Sequence, residues 1–351
     1  MNDRPAVRRP DPATATAANP LLVEVTRGSM VESRHRASVA VCDAAGKLVR
    51  HWGDIGRPVY ARSAIKPLQA LPLIETGAAD AFGLTPAEIA LACASHSGEK
   101  RHVDTVRAWL ARIGLSDADL ECGPQPPFHN REAMTRIDGG DDRAALYNNC
   151  SGKHAGFLTT AVHKGEKTRS YIRPEHPVQQ RILGALEQIC GLELGAAPKG
   201  IDGCGIPVIG IPLGNTAMAM ARLADPARLP DRRAAAARRI VAAMLAEPFM
   251  VAGSNRFSTR VMTALGDRVA LKGGAEGVYV AILPKHGLGI AVKCDDGAAR
   301  GAEAAMAMTL CHLGIVGEDE ATKLADLLFP PIENRAGLVV GRVRRAAEAP
   351  F

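Results

Sequence analysis

Apolar and polar positions alternate at both ends of this chain and follow a helical period between them. Residues 22–26 and 37–41 read as strands, and Asp43-Ala44-Ala45-Gly46 is a turn leading into a third strand at 47–52. This is an N-terminal antiparallel meander. Residues 68–74 are helical, with Pro72 making the element short or kinked. Thr85-Pro86-Ala87-Glu88 is a helix start for the apolar run at 89–94. Helical periodicity continues at 99–113, 152–162, 177–190 and 230–246, and ends at 257–265. The stretch 122–142 is rich in Pro, Gly and Asp and is expected to be a mobile loop. Strands return at 269–272, 277–283 and 289–292, with Pro284-Lys285-His286-Gly287 as a hairpin turn. A last helix at 298–314 and a short tail follow. Strands, a long helical block, then strands and a helix predict an α+β fold. Its antiparallel sheet is built from N- and C-terminal strands, flanked by helices, with a large helical insertion over about 68–265. The expected organisation is a disordered tail at 1–20, one domain at 21–345 and a C-terminal tail at 346–351.

Composition narrows the classes. Apolar residues make up 47% and charged residues 23%, which is ordinary for a globular protein. The net charge of +6 is modest, and its one basic cluster, Arg342, Arg344 and Arg345, has no interleaved aromatics. It reads as solvated surface on the tail, so no nucleic-acid partner is expected. The overall field would still attract a small anion. No apolar run reaches the ~18 residues of a membrane helix, so no membrane partner is expected. Residues 10–19 are Pro/Ala/Thr-rich with no apolar core of a signal peptide. The eight cysteines are scattered through a chain too large to need a disulfide framework. Reduced thiols and a cytoplasmic location are therefore expected.

Four features carry candidate chemistry. In Arg62-Ser63-Ala64-Ile65-Lys66-Pro67 a hydroxyl and an amine lie three residues apart, on the same side of one turn. A neutral lysine there takes the serine proton, the role histidine has in a triad. Pro67 biases Lys66 away from the helical region, so an irregular turn is expected, with regular helix only from Pro67. A chain this long carries about one such pair by chance, and a second exists here. In Ser97-Gly98-Glu99-Lys100, Ser97 is expected to cap the helix at 99–113 and Lys100 to be solvated. The second stretch, Ala94-Ser95-His96-Ser97-Gly98, lies just past a helix, where Ser95 is either a proton relay or a mere cap. Lys272-Gly273-Gly274-Ala275 ends a β-rich run, where two glycines let a substrate lie on bare backbone beside a cation; a surface turn is the alternative. The fourth is Asn149-Cys150-Ser151-Gly152-Lys153-His154 with Asp202-Gly203-Cys204-Gly205. Two cysteines in polar, Gly-rich loops near Lys, His and Asp suit zinc, although the spacing fits no standard finger. Cys42, Cys93, Cys190, Cys294 and Cys311 sit in apolar or helical surroundings and read as buried small hydrophobes.

Ser-x-x-Lys, a serine loop and Lys-Gly-Gly, in that order, resemble the signature of serine β-lactamases, penicillin-binding proteins and serine-dependent glutaminases. More closely, the chain resembles the class 3, or rhizobial-type, L-asparaginases over residues 21–341. The resemblance is carried by Arg62-Ser63-Ala64-Ile65-Lys66-Pro67, Ser95-His96-Ser97-Gly98-Glu99, Asn149-Cys150-Ser151-Gly152-Lys153-His154, Asp202-Gly203-Cys204-Gly205-Ile206-Pro207 and Lys272-Gly273-Gly274-Ala275-Glu276-Gly277. It implies a serine β-lactamase/glutaminase-like fold and a homodimer. It also implies Ser63 as nucleophile with Lys66 as partner, Ser95 with Lys272 as a second Ser-Lys pair, and Cys150, Lys153 and Cys204 as ligands of Zn2+. Asp202 would be a further active-site residue.

On that resemblance the expected activity is hydrolysis of L-asparagine to L-aspartate and ammonia through an acyl-enzyme, with the backbone N–H groups of Ser63 and Ala275 as oxyanion donors. His154 and Asp202 would support the metal ligands. A glutaminase or β-lactam hydrolase using the same residues is the alternative among enzymes. A non-catalytic zinc-dependent binding protein on the same fold is the alternative outside them.

Overall fold

The computed structural model describes residues 18–125 and 145–351. Most of the expected N-terminal tail and of the expected loop at 122–142 lies outside the described residues. Eleven strands run through the described residues: β1 (Leu21–Arg27), β2 (Met30–Asp43), β3 (Leu48–Trp52), β4 (Pro58–Tyr60), β5 (Lys199–Ile201), β6 (Pro207–Pro212), β7 (Ala270–Gly274), β8 (Val278–Leu283), β9 (Leu288–Cys294), β10 (Pro331–Glu333) and β11 (Val339–Arg345). Contacts divide the chain into two compact units, Met1–Ala64 with Ile211–Asp225 and Ala264–Phe351, and Ile65–Gly210 with Pro226–Thr263.

The first unit holds an eight-stranded antiparallel sheet in the order β10-β11-β1-β2-β9-β8-β7, with β3 also on β2. This is the expected α+β class, with the sheet drawn from both ends of the chain. The long strand β2 organises it. Its first half pairs with β1, from Arg27↔Met30 to Leu21↔Arg36, and its second half lies between β3 and β9. Residues 37–42 are all buried, without alternation. Such continuous burial means that both faces are covered. Helices Leu213–Ala224 and Ala299–His312 each pack on β2 and β9. The first comes so close that a Cβ at Gly289 would lie 2.2 Å from Ala217 O and Ala221 N. Every position of β8 is buried as well, at about 1.5–3 kcal/mol for each large apolar side chain.

Three parts of this unit depart from the sequence reading. Leu213–Ala224 is a helix that the Pro- and Gly-rich run before it concealed. The chain beyond 314 is no simple tail, because β10 and β11 form a hairpin whose second strand pairs with β1. The basic cluster therefore lies on a strand, where Arg344 pairs with Glu24 at 3.0 Å. At the C-terminus the Phe351 ring packs on Trp52 with centroids 4.3 Å apart.

The second unit is mainly helical. The break expected at Pro72 divides Lys66–Gln69 from Leu71–Glu75, and Pro86–Ala92 starts with a Thr85/Glu88 capping box. Helices Lys100–Arg112 and Ser151–His163 are joined through the buried Trp109, whose Nε1 donates to Thr159 Oγ1 at 2.9 Å. The cap expected at Ser97 is not there. Glu99 is the N-cap and its N–H meets His102 Nδ1 at 3.2 Å. Gly98, at φ 72°, turns the chain, and buried Ser97 donates to Ala252 O at 3.0 Å. Lys100 is exposed and paired with Asp104, as a solvated first turn requires.

Candidate active site

Ser63 stands on a 3-10 turn, Arg62–Ile65, of which the first unit holds the first three residues. Arg62 enters it at φ 52°, a left-handed conformation that costs an L-residue about 1–2 kcal/mol. The Ala64 N–H closes the turn onto Ala61 O at 3.0 Å. The end of β7 is laid against this turn. A Cβ at Gly274 would be 2.7 Å from Ala61 O and 3.1 Å from Ala64 N. Only a bare backbone reaches the serine turn so closely, which explains the second glycine of Lys272-Gly273-Gly274. Lys272 is buried and its Nζ donates to Gly273 O at 2.5 Å. Ala275 is exposed in the turn that follows.

In the second unit Lys66 opens the helix Lys66–Gln69 and is 0% exposed. Its Nζ meets Ala94 O, Ser95 Oγ at 3.1 Å and Asn149 O at 3.4 Å. An ammonium has three hydrogens for these three acceptors; a neutral amine keeps two and has a lone pair for the Ser95 proton. Ser95, which the resemblance pairs with Lys272, has a bond to Lys66 here. The loop is fixed by the Ser95 N–H bond to Val251 O at 3.0 Å. His96 adds a bond between its Nε2 and Ser151 Oγ at 2.9 Å. Buried and beside His102 and Lys66, His96 is held well below the ordinary histidine pKa, burial being the main cause. Neither His96 nor Ser151 was picked out from sequence, because their partnership spans 55 positions.

The same unit brings Cys150, Lys153 and Cys204 together. Cys150 is the N-cap of Ser151–His163, Lys153 follows within its first turn, and Cys204 sits in the tight turn between β5 and β6. That turn is closed by Gly205 N–H to Asp202 O and Asp202 N–H to Ile206 O, both at 2.9 Å. Lys153 Nζ is 3.0 Å from Cys204 Sγ, and all three side chains are buried. A hydrogen bond from Cys150, with the Lys153 charge, holds the Cys204 thiol down to about 4 against its burial. That same bond, with burial, pushes Cys150 up to about 12. Burial works to lower Lys153, but the two sulfurs more than offset it and hold its ammonium above the ordinary value. Two sulfurs and an amine, held by protons that a cation would displace, fit a thiophilic divalent ion such as zinc.

Around this cluster, Asp202 is half-buried and its Oδ1 accepts from the Gly203 N–H at 2.7 Å. His154 meets the Tyr171 hydroxyl through Nδ1 at 2.8 Å, while its buried Nε2 has no hydrogen-bond partner among the described residues. Cys122, which the sequence reading passed over, is buried and raised to about 12, first by burial and then by the Cys150 and Cys204 sulfurs. None of the eight cysteines forms a disulfide.

A second group with metal-binding chemistry lies in the first unit, where the ligand atoms of His35, Cys294 and Asp296 fall within 4.8 Å of one another. Asp296 accepts from His35 Nδ1 at 2.6 Å and from Cys294 Sγ at 3.0 Å, and Arg300 Nε reaches His35 Nε2 at 3.1 Å. Cys294 is therefore more than a buried small hydrophobe. In this arrangement Nδ1 carries the imidazole proton.

Residues 23–345 match the profile of a family of amidohydrolases. That family is L-asparaginase II, and the chain belongs to it. No curated protein matches the chain. Similar solved structures include a β-lactamase from Mycobacterium bovis, at 16% identity and TM-score 0.36, covering 83% of this chain and 95% of that one. Another is a D-alanine carboxypeptidase from Burkholderia cenocepacia, at 13% identity and TM-score 0.37, covering 77% and 90%. Likenesses this remote carry no weight for the site. No helix among the described residues is long and apolar enough to cross a membrane.

Proposed function

We propose that the protein hydrolyses L-asparagine to L-aspartate and ammonia through an ester on Ser63. The observation that carries this reading is Lys66, three residues after Ser63, wholly buried and 3.1 Å from the Ser95 hydroxyl. Membership of the L-asparaginase II family supports the substrate. Ser63 Oγ attacks the side-chain amide carbon as neutral Lys66 takes its proton. The developing oxyanion faces the backbone N–H groups of Ser63 and Ala275. Ser95, served by Lys66 and Lys272, passes a proton to the amide nitrogen, and the C–N bond breaks to release ammonia. Water then attacks the ester along the same proton path, giving aspartate and free Ser63.

Cys150, Lys153 and Cys204 would hold Zn2+, with His154 and Asp202 beside them. When bound, the ion orders the two loops and gives the substrate a positive neighbour. The family resemblance supports a homodimer, and cysteines without disulfides support a reducing, cytoplasmic setting. Ammonia release is to be measured with asparagine, with glutamine and with no substrate, beside hydrolysis of a chromogenic β-lactam. Asparagine should be the preferred substrate, and Ser63→Ala should keep less than about a hundredth of its kcat. Quenched wild type should carry an aspartyl ester on the peptide containing Ser63. Turnover by Ser63→Ala near the wild-type rate would remove Ser63 as nucleophile. Preference for glutamine or the β-lactam would reassign the substrate, and binding of zinc without any turnover would make this a binding protein.

A further inference from the structure

The first unit contains a recess of about 210 Å³ lined by Arg57, Tyr60, Arg62, Glu276 and Lys293 together with Pro58 and Val59. It borders the serine turn. Arg62 directly precedes Ser63, and Glu276 follows by two residues the glycine that lies against that turn. Its size falls below the roughly 300–1,000 Å³ of drug-sized pockets and suits a ligand no larger than an amino acid.

Charge and backbone both mark it as built for a ligand. Three residues that carry a cation and one that carries a carboxylate line a single small space, a set that matches one ligand bearing both signs. Lys293 Nζ is fixed by Glu276 O at 2.6 Å and Cys294 O at 2.7 Å, which take two of its three donors. Arg57 is steadied by Asp295 at 3.3 Å. Arg62 and Glu276 are also two of only four non-glycine residues with positive φ among the described residues, at 52° and 59°. Strain of this kind costs about 1–3 kcal/mol per residue and collects at ligand clamps. Here two strained residues of opposite charge flank one recess.

We propose that this recess seats the α-amino-acid end of the ligand, with the α-carboxylate on Arg62 and Lys293 and the α-ammonium on Glu276. It selects free amino acids over amides lacking either charge. The proposal rests on the asparaginase reading for the reaction that follows, but binding can be tested without turnover. Calorimetry would compare L-aspartate with succinate, which lacks the ammonium, and with β-alanine, which lacks the α-carboxylate. Wild type should bind L-aspartate about tenfold or more tighter than either, the amount one charge-assisted hydrogen bond supplies. Glu276→Gln should erase the preference over succinate by weakening L-aspartate alone. Lys293→Met should weaken L-aspartate and succinate and leave β-alanine unchanged. Arg62→Asn, whose side chain tolerates the left-handed backbone, should do the same if Lys293→Met fails to fold. Unchanged aspartate-to-succinate ratios in Glu276→Gln would overturn the ammonium site. Unchanged aspartate-to-β-alanine ratios in the two cation variants would overturn the carboxylate site. Loss of the asparaginase reading would instead show as missing ammonia release with these ratios intact.

Discussion

His96 gives its Nε2 proton to Ser151 Oγ at 2.9 Å, because its Nδ1 already accepts the Gly98 N–H at 3.1 Å. Ser151 passes the chain on to Leu146 O at 2.9 Å. The tautomer is thus fixed by its neighbours, and the loop carrying Ser95 is bolted to the helix carrying Lys153. A second proton on His96 would point an N–H at the Gly98 N–H. Burial and geometry both keep this imidazole neutral.

That neutrality predicts acid lability. Unfolded His96 takes up a proton near its ordinary 6.5, while the folded residue resists until well below it. The stability it contributes is present above about 6.5 and is lost as pH falls from there, at up to about 1.4 kcal/mol per pH unit. Buried His154 adds in the same direction. His96→Asn should be about 1–3 kcal/mol less stable at pH 7, with a shallower decline below 6.5. Urea midpoints between pH 5 and 8 decide it, and equal slopes would show that His96 is not the group that titrates.

Ser95 is the hydroxyl that meets Lys66, and its proposed work is to protonate departing ammonia. Ser95→Ala should therefore lower kcat for asparagine by about 10²–10⁴. L-Aspartate β-hydroxamate, whose hydroxylamine leaves with less need of a proton, should lose much less. Paired rates on the two substrates test the relay. An equal loss on both would give Ser95 a role in positioning Lys66 and none in protonating the leaving group.

The short strands and helix starts were legible because each is set by neighbours in sequence. Thr85 and Glu88 form the capping box that their spacing implies, and β7, β8 and β9 lie within a few residues of the expected strands. Ser63, Lys66 and Lys272 stand out as candidates for the same reason, as members of short motifs. What escaped depends on distant partners. Val339–Arg345 reads as a basic tail until β1 is beside it, and Leu213–Ala224 is recognised as a helix by the sheet it covers. His35, Cys294 and Asp296 meet only after β2 and β9 pair, at Ala37↔Cys294. No local pattern announces such a meeting.

Gly274 offers a test of how tightly the serine turn is braced. A methyl group there would overlap Ala61 O, at 2.7 Å, and crowd Ala64 N. Gly274→Ala should push the turn away at a cost of about 1–3 kcal/mol. Activity should suffer more than stability, since the displaced turn carries Ser63. Melting temperature and ammonia release measured on the same preparation check this. Full activity would show that the turn relaxes freely and that the second glycine serves no closeness of approach.

The thiol cluster makes a prediction about protons, because only one of its three groups is ready to bind a metal. Cys204, held down to about 4, is a thiolate at neutral pH. Cys150, up at about 12, is a thiol, and Lys153 is an ammonium held above its ordinary value. A metal ligand must present a lone pair, so Cys150 and Lys153 must each lose one proton. Zinc binding should then release about two protons at pH 7, and its apparent affinity should rise by about a hundredfold per pH unit there. Calorimetry in two buffers of different ionisation enthalpy counts these protons directly. Lys153→Met removes one of them, so the count should fall to about one, with a tenfold dependence per pH unit. Cys204→Ser should lower zinc content and raise KM more than it lowers kcat, as the ion orders loops and substrate and takes no part in the Ser-Lys steps. Release of no protons in wild type would mean that zinc displaces neither the Cys150 nor the Lys153 proton and does not enter this cluster. A count of one in wild type, unchanged in Lys153→Met, would leave the two cysteines as ligands and remove the lysine from the site.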